Sequence, residues 1–301
     1  MHDEFTPLLG STDWNEEWKE LQKLRRHADD ASFWDKRSAT FTTKDAPNRY
    51  VEQFLAYAAI RPGETVFDMG CGTGALAVPL GEAGHKVVAA DFSQGMLDQM
   101  QARLDAAGVR TVFPKLMSWE DDWPAFGVRA GMTDVAIASR SIATADLRES
   151  LLRLSEVARR RVCITLATGS SPRVDERILA AVGLPCLLGR DYLYAFNILA
   201  TEGIKAEVRY IASTREDTFA SPEDAFEKLA AMIDDSSAVQ ASAAERERAR
   251  ASLREWLAVN LVPNEHAGEP DCKGVAQGAW HLAEPRTVTW AFLSWNTDGT
   301  A

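Results

Sequence analysis

Three glycines within five residues close the run Val66-Phe67-Asp68-Met69-Gly70-Cys71-Gly72-Thr73-Gly74. Glycine has no Cβ, so a ligand can approach the backbone of such a turn closely, and where the turn opens a helix its amides attract negative charge. The plainer reading is a tight strand-to-helix turn that binds nothing. Two carboxylates add weight to binding. Asp68 stands just before the turn, and Asp91 ends the next apolar run, Val87-Val88-Ala89-Ala90-Asp91-Phe92, where its two oxygens can accept both hydroxyls of a ribose.

Two enzyme classes use this pattern, the nicotinamide oxidoreductases and the S-adenosylmethionine methyltransferases. A dinucleotide fingerprint is GxGxxG, whereas Gly70-x-Gly72-x-Gly74 is followed by Ala75, Leu76 and Ala77, so the last spacing is wrong. Asp68 would also repel an entering pyrophosphate, but it suits the ammonium and sulfonium end of S-adenosylmethionine.

Through Asp68-Met69-Gly70-Cys71-Gly72-Thr73-Gly74 and Ala90-Asp91-Phe92-Ser93 the chain resembles the class I S-adenosylmethionine-dependent methyltransferase family. The resemblance covers residues 60 to 211 and a terminal strand, leaving the first 45 residues and the stretch 212–286 largely outside. It implies an α/β fold, a Rossmann-like seven-stranded mostly parallel sheet, with S-adenosyl-L-methionine as cofactor. It also implies that Gly70, Cys71, Gly72, Thr73 and Gly74 lie under the methionine and ribose portions, that Asp91 takes the ribose hydroxyls and that Phe92 packs on the adenine. Many relatives place an acid near the adenine amine after the third strand. Here Met117-Ser118-Trp119-Glu120-Asp121-Asp122-Trp123 has Ser118 at that place, which shifts the expected contact to Trp119 and Glu120, unless the segment is an acidic turn with its aromatics tucked inward.

The acceptor side is less marked. The fourth strand leads into Ala138-Ser139-Arg140-Ser141 without the Asn-Pro-Pro-Tyr of amide- and adenine-methylating relatives. Arg140 is either a partner for a substrate carboxylate or a cap on local acids. Pro185-Cys186 superficially resembles the nucleophile of cytosine C5 methyltransferases but follows the wrong strand, so packing is expected of Cys186. In Gly189-Arg190-Asp191-Tyr192-Leu193-Tyr194-Ala195-Phe196-Asn197, helical spacing puts Arg190, Tyr194 and Asn197 on one face, and Tyr192, Phe196 and Leu199 on another that reads as core. Arg140, Arg190, Tyr194 and Asn197 are the substrate candidates. His27, Tyr50, Tyr194 and His281 are candidate bases, and no catalytic residue is assigned. Phe33-Trp34-Asp35-Lys36-Arg37 resembles the Trp-Asp lead-in of small-molecule members, including ubiquinone and biotin pathway enzymes. The expectation is methyl transfer to a small molecule. The alternatives are an RNA or protein methyltransferase that docks through 212–286, and a non-catalytic cofactor-binding regulator.

These residues need a scaffold. Trp14, Trp18, Leu21 and Leu24 give a helix over 14–27 with Asp13 as N-cap, and a second helix follows Asp45-Ala46-Pro47 with Val51, Phe54, Leu55 and Ala58 inward. After Pro62-Gly63, strands are predicted at 64–69, 86–90, 111–116, 134–139, 161–167, 205–211 and 287–295. Helices are predicted at Ser93, as N-cap before Met96, Leu97, Met100 and Leu104, and at 146–158, 222–233 and 243–259. The division is a helical cover over 1–60, an α/β core over 61–211, a helical insertion or lid over 212–286 and a returning strand over 287–301.

Composition sets the outer bounds. The 301 residues, 46% hydrophobic and 26% charged, belong to an ordinary globular chain rather than a disordered or fibrous one. With 33 basic against 44 acidic residues the net charge of −11 disfavours nucleic acid as a partner. Residues 212–286 hold 14 acidic and 8 basic side chains, more than half of that excess. MHDEFTPLLG is acidic where a signal peptide is basic, and no apolar run reaches a membrane span, so a cytoplasmic location is expected. Cys71, Cys163, Cys186 and Cys272 form no CxxC pair, and the five histidines show no ligand spacing, so no metal is expected. Oligomeric state is left open.

Overall fold

A computed structural model describes residues 8–25, 31–38, 49–170, 174–184, 189–234, 239, 241–271 and 274–297. His27, Asp45-Ala46-Pro47, Pro185-Cys186 and Cys272 lie outside these. The central sheet comprises β1 (Val66–Met69), β2 (Val87–Asp91), β3 (Val112–Leu116), β4 (Thr133–Ser139), β5 (Ala158–Ala167), β6 (Glu207–Arg215) and β10 (Arg286–Asn296). A smaller sheet holds β7 (Thr218–Phe219), β8 (Leu261–Pro263) and β9 (Trp280–Leu282). The helices are α1 (Leu8–Ser11), α2 (Trp14–Leu24), α3 (Ala31–Ser38), α4 (Arg49–Ala58), α5 (Ala77–Glu82), α6 (Gln94–Ala107), α7 (Leu147–Val157), α8 (Glu176–Ala181), α9 (Asp191–Thr201), α10 (Pro222–Asp234) and α11 (Ala243–Asn260).

The seven-stranded sheet runs β3-β2-β1-β4-β5-β10-β6. β1 pairs in parallel with β2 and β4, and β10 lies antiparallel between β5 and β6. This is the Rossmann-like, mostly parallel sheet expected, with each strand end within four residues of its predicted place. The order reverses between β1 and β4, so the crevice beyond their carboxyl ends is where an open α/β sheet accepts a ligand.

Both faces of the sheet are buried, which explains strands that read as continuous apolar runs. Val66, Val135, Ile137 and Phe292 face a cluster with Tyr50 and Phe54 of α4 and with α5 and α6. Phe67, Ala136, Ala138 and Leu293 face the other, with Trp18 of α2, Leu151 and Leu154 of α7 and Ile198 of α9. Side-chain caps fix where helices begin. The Asp13 carboxylate accepts from the amides of Asn15 and Glu16, Ser93 from that of Met96 and Asp146 from that of Glu149, each satisfying an end donor that the helix cannot. The α2 helix stops at Leu24, short of the predicted 27, and in α4 it is Tyr50, Phe54 and Ala58 that are fully buried, with Val51 and Leu55 partly so.

The segment between β6 and β10 is not purely helical. Its Gly- and Pro-containing loop lies between β8 and β9, and β9 pairs antiparallel with both β8 and β7. Strands of two or three residues carry no readable alternation, so the sequence pattern concealed them. A third apolar cluster joins Phe226 and Ile233 of α10, Leu253 and Leu257 of α11 and Phe219, Leu261 and Leu282 of the small sheet. It also takes Ile178 and Leu179 of α8, which the sequence reading had given to the α/β core. No helix among the described residues is long and apolar enough to cross a membrane.

Candidate functional site

The turn after β1 is wound by glycines at positive φ, +74° at Gly70, +55° at Gly72 and +79° at Gly74. The amides of Gly70 and Cys71 both donate to the Ala90 carbonyl at 2.8 and 3.0 Å, folding the turn across the end of β2. Gly70 and Gly74 are needed for fit within the protein, since a Cβ would strike the Ser141 side chain at the first and that of Met100 at the second. A Cβ on Gly72 would meet nothing within 4 Å. Gly72 therefore presents bare backbone to open space, as close ligand approach requires. Thr73 is buried and its carbonyl accepts from Arg103 at 2.7 Å. The Cys71 thiol is pushed well up by burial and by the charges of Asp68 and Asp91, so it stays protonated and packs.

Two buried carboxyls face this turn. Asp68 is 1% exposed on β1, and its Oδ2 has no hydrogen-bond partner among the described residues. Burial, then the neighbouring Asp91, lifts its pKa to about 8. Asp91 accepts from the Gly72 amide through Oδ2 at 2.8 Å and from the Ser93 amide through Oδ1 at 2.9 Å. Burial raises its pKa, and these N–H donors pull the other way. A carboxylate has about four acceptor sites, so Asp91 retains capacity for two hydroxyl donors.

Asp35 of α3, absent from the sequence-based candidates, bonds to residues that closely follow Asp91. Its Oδ1 accepts from the Ser93 hydroxyl at 2.6 Å and the Gly95 amide at 3.0 Å, and both bonds lower its pKa. The Trp-Asp segment is thereby fastened to the start of α6, two residues from Asp91. Its spacing to Ser93 is 58 positions, and only the Trp-Asp resemblance pointed to it.

Phe92, expected against the adenine, is 37% exposed. Trp119 is otherwise engaged. Its indole N–H donates to the Ser141 carbonyl at 2.8 Å and its ring lies 5.5 Å from Trp123, so only ring surface is left for a ligand. Glu120 is exposed and hydrogen-bonded to the Ser118 hydroxyl.

The ends of β4 and β5 form a second polar centre. The Tyr50 hydroxyl, on a residue 4% exposed, lies 2.7 Å from both Ser139 Oγ and Thr165 Oγ1. Burial raises its pKa, opposed by Arg140, whose guanidinium lies 4.4 Å from the Tyr50 ring centroid. Arg140 has a φ of +59°, and its amide donates to Thr165 Oγ1 at 3.0 Å. Ser141 donates from its hydroxyl to the Met69 carbonyl at 2.7 Å, linking this centre to the glycine turn.

Among the described residues no hydrogen bond, ion pair or ring contact joins Arg190, Tyr194 or Asn197 to Arg140. Arg190 precedes α9 as its N-cap residue without a side-chain cap bond. Tyr194 packs its ring on Trp14 and Trp18 at 6.4 and 5.7 Å, and Asn197 donates back to the Leu193 carbonyl. The face anchoring α9 is Ala195, Ile198 and Leu199, whereas Phe196, expected in the core, is 38% exposed. The reason is that α2 docks beside α9 and takes the Tyr194 side. His281 lies on β9, in the small sheet.

Residues 66–160 match a family model described as a methyltransferase domain. An uncharacterized protein of Haemophilus influenzae is 32% identical over 180 residues, 59% of this chain and 65% of that protein. A putative methyltransferase of a Geobacillus species is 32% identical over 82 residues, 27% of this chain and 33% of that one. The chain thus spans less than two thirds of the length of either. Among solved structures, YcgJ of Bacillus subtilis superposes with a TM-score of 0.49 at 12% identity, covering 82% of this chain and 97% of its own. The magnesium protoporphyrin IX methyltransferase of Synechocystis, solved with bound S-adenosylmethionine, gives 0.44 at 19% identity, covering 65% and 91%.

Proposed function

We propose, from a methyltransferase domain spanning residues 66–160, that this chain transfers the methyl group of S-adenosylmethionine to a small-molecule acceptor. The observation that carries the reading is the pairing of an orphaned buried carboxyl with an open backbone position, Asp68 Oδ2 beside the turn that bares Gly72. A dinucleotide pyrophosphate would gain nothing from Asp68, while an ammonium group supplies the missing partner and ionises it.

In this reading Asp68 binds the ammonium end, Gly72 admits the ligand to the backbone, Asp91 accepts the ribose hydroxyls and Phe92 covers the adenine. Trp119 supports Ser141 rather than gripping the base. The bound cofactor supplies an already activated methyl group, so the protein's task is to hold a nucleophile in line and keep water out. The Tyr50, Ser139, Thr165 and Arg140 centre at the ends of β4 and β5 is the acceptor end of the crevice. α3, fastened through Asp35, and the segment between β6 and β10 serve as its cover.

Titration calorimetry tests the cofactor assignment. S-adenosylhomocysteine and S-adenosylmethionine are expected to bind one to one, and NAD not at all. Tight NAD binding with no response to either sulfur cofactor overturns the proposal.

A further inference from the structure

The C-terminal edge of the sheet gathers arginines in a chain that has an excess of acids. Arg140 follows β4, while Arg215 closes β6 directly opposite Arg286, the first residue of β10. Arg286 and Trp290 lie four residues apart and so project from the same face of the strand. Trp290 also lies 5.8 Å, centroid to guanidinium, from Arg140, and its ring packs 6.5 Å from Tyr50. The three cations are therefore strung along one side of the crevice mouth, next to the turn that Ser141 joins to Met69.

Their carboxylate supply is short. Asp217 pairs with Arg286 at 2.7 Å. Among the described residues the guanidiniums of Arg140 and Arg215 make no hydrogen bond or ion pair, although Arg215 is only partly exposed. Burial, and the positive charges of Arg286 and Arg140, lower the pKa of Arg215, with Asp217 opposing. Arginines elsewhere, such as Arg25 with Asp191, Arg160 with Glu64 and Arg177 with Asp175, have found acids. The recess between Arg215, Asp217, His281 and Arg286 has about 10 Å³ of free volume, water-sized at most, so it is too small to hold an oxyanion itself. Arg140 is also held in a backbone conformation that non-glycine residues avoid, a kind of strain that clusters at functional positions.

We propose that Arg140 and Arg215 together hold an oxyanion group of the methyl acceptor, a carboxylate or a phosphate, at the mouth of the crevice. This rests on the methyltransferase reading and adds to it the chemical class of the acceptor. A flat guanidinium stacked on Tyr50 and Trp290 keeps its donor edge free, which suits two-point capture of such a group. The oxyanion serves as an anchor, leaving the nucleophile elsewhere on the acceptor.

The test uses protein loaded with S-adenosylhomocysteine and two probes, inorganic phosphate and succinate, titrated at constant ionic strength with chloride as the reference anion. At least one probe is expected to bind one to one at millimolar concentration or tighter. Arg140→Gln and Arg215→Gln should each weaken it about tenfold or more, the loss of a charge-assisted bond. Arg110→Gln, on an exposed surface pair with Asp105, should leave it unchanged. Arg215→Lys guards against misfolding, since it keeps the charge and should retain part of the affinity. Phosphate bound in preference to succinate assigns a phosphate group, and the reverse a carboxylate. No binding of either probe, or equal binding in wild type, Arg140→Gln and Arg215→Gln, overturns the inference. Loading with S-adenosylhomocysteine is measured separately on the same samples, and its failure refutes the methyltransferase reading instead.

Discussion

In the proposed site, Asp68 makes cofactor binding a proton-linked event. Its pKa of about 8 leaves the carboxyl mostly protonated at pH 7. A cation placed within about 4 to 6 Å of a carboxylate lowers its pKa by roughly 1 to 3 units, so binding should expel roughly 0.4 to 0.9 of a proton at pH 7. Calorimetric titration with S-adenosylhomocysteine in MOPS and in imidazole, whose ionisation heats differ, reads that number directly. Asp68→Asn keeps the shape and removes the titration, so its proton count should fall by the same amount, and affinity should drop. The sign for stability runs opposite to that of a salt-bridged acid. The unfolded chain loses this proton near pH 3.8 and the folded chain near 8, so the cofactor-free fold loses stability as pH rises across that window, by about 1.4 kcal/mol per unit. Asp68→Asn should be free of that slope. A wild-type protein that binds the cofactor with no proton release, and whose stability is flat from pH 5 to 7, would refute the reasoning.

Three further outcomes follow from the same geometry. Gly72→Ala should fold with a loss of about 1 to 2 kcal/mol, from its positive φ, yet bind S-adenosylhomocysteine at least tenfold more weakly, as thermal melts and calorimetry will read. Tyr50→Phe leaves Ser139 and Thr165 without their shared hydroxyl and should cost about 1 to 3 kcal/mol in urea unfolding, with cofactor affinity nearly unchanged. Asp35→Ala removes the bonds to Ser93 and Gly95, and hydrogen exchange at the amides of 94–97 should quicken.

The sequence made legible whatever depends on local pattern. Val66–Met69 and Val87–Asp91 are apolar because parallel strands are covered on both faces, and Asp13 and Ser93 announce helix starts because their side chains cap within three residues. The glycine turn and the two aspartates were readable for the same reason. What failed depends on partners distant in the chain. Asp35 meets Ser93 across 58 positions, Tyr50 meets Thr165 across 115, and Arg215 meets Arg286 only because β10 inserts between β5 and β6. For the polar stripe on α9, helical spacing gives a face without saying what docks on it, and Trp14 and Trp18 occupy the Tyr194 side. Nothing local reveals that the Trp119 N–H is committed to Ser141.

The central claim is that this crevice moves a methyl group onto a small acceptor. Incubating the pure protein with methyl-labelled S-adenosylmethionine and fractionated cell extract, then sizing the product and testing its sensitivity to nuclease and protease, addresses it most directly. The expected result is label in a small soluble product that resists both enzymes and is lost with Asp91→Ala. Label confined to RNA or protein, or cofactor bound with no transfer to any fraction, would contradict it.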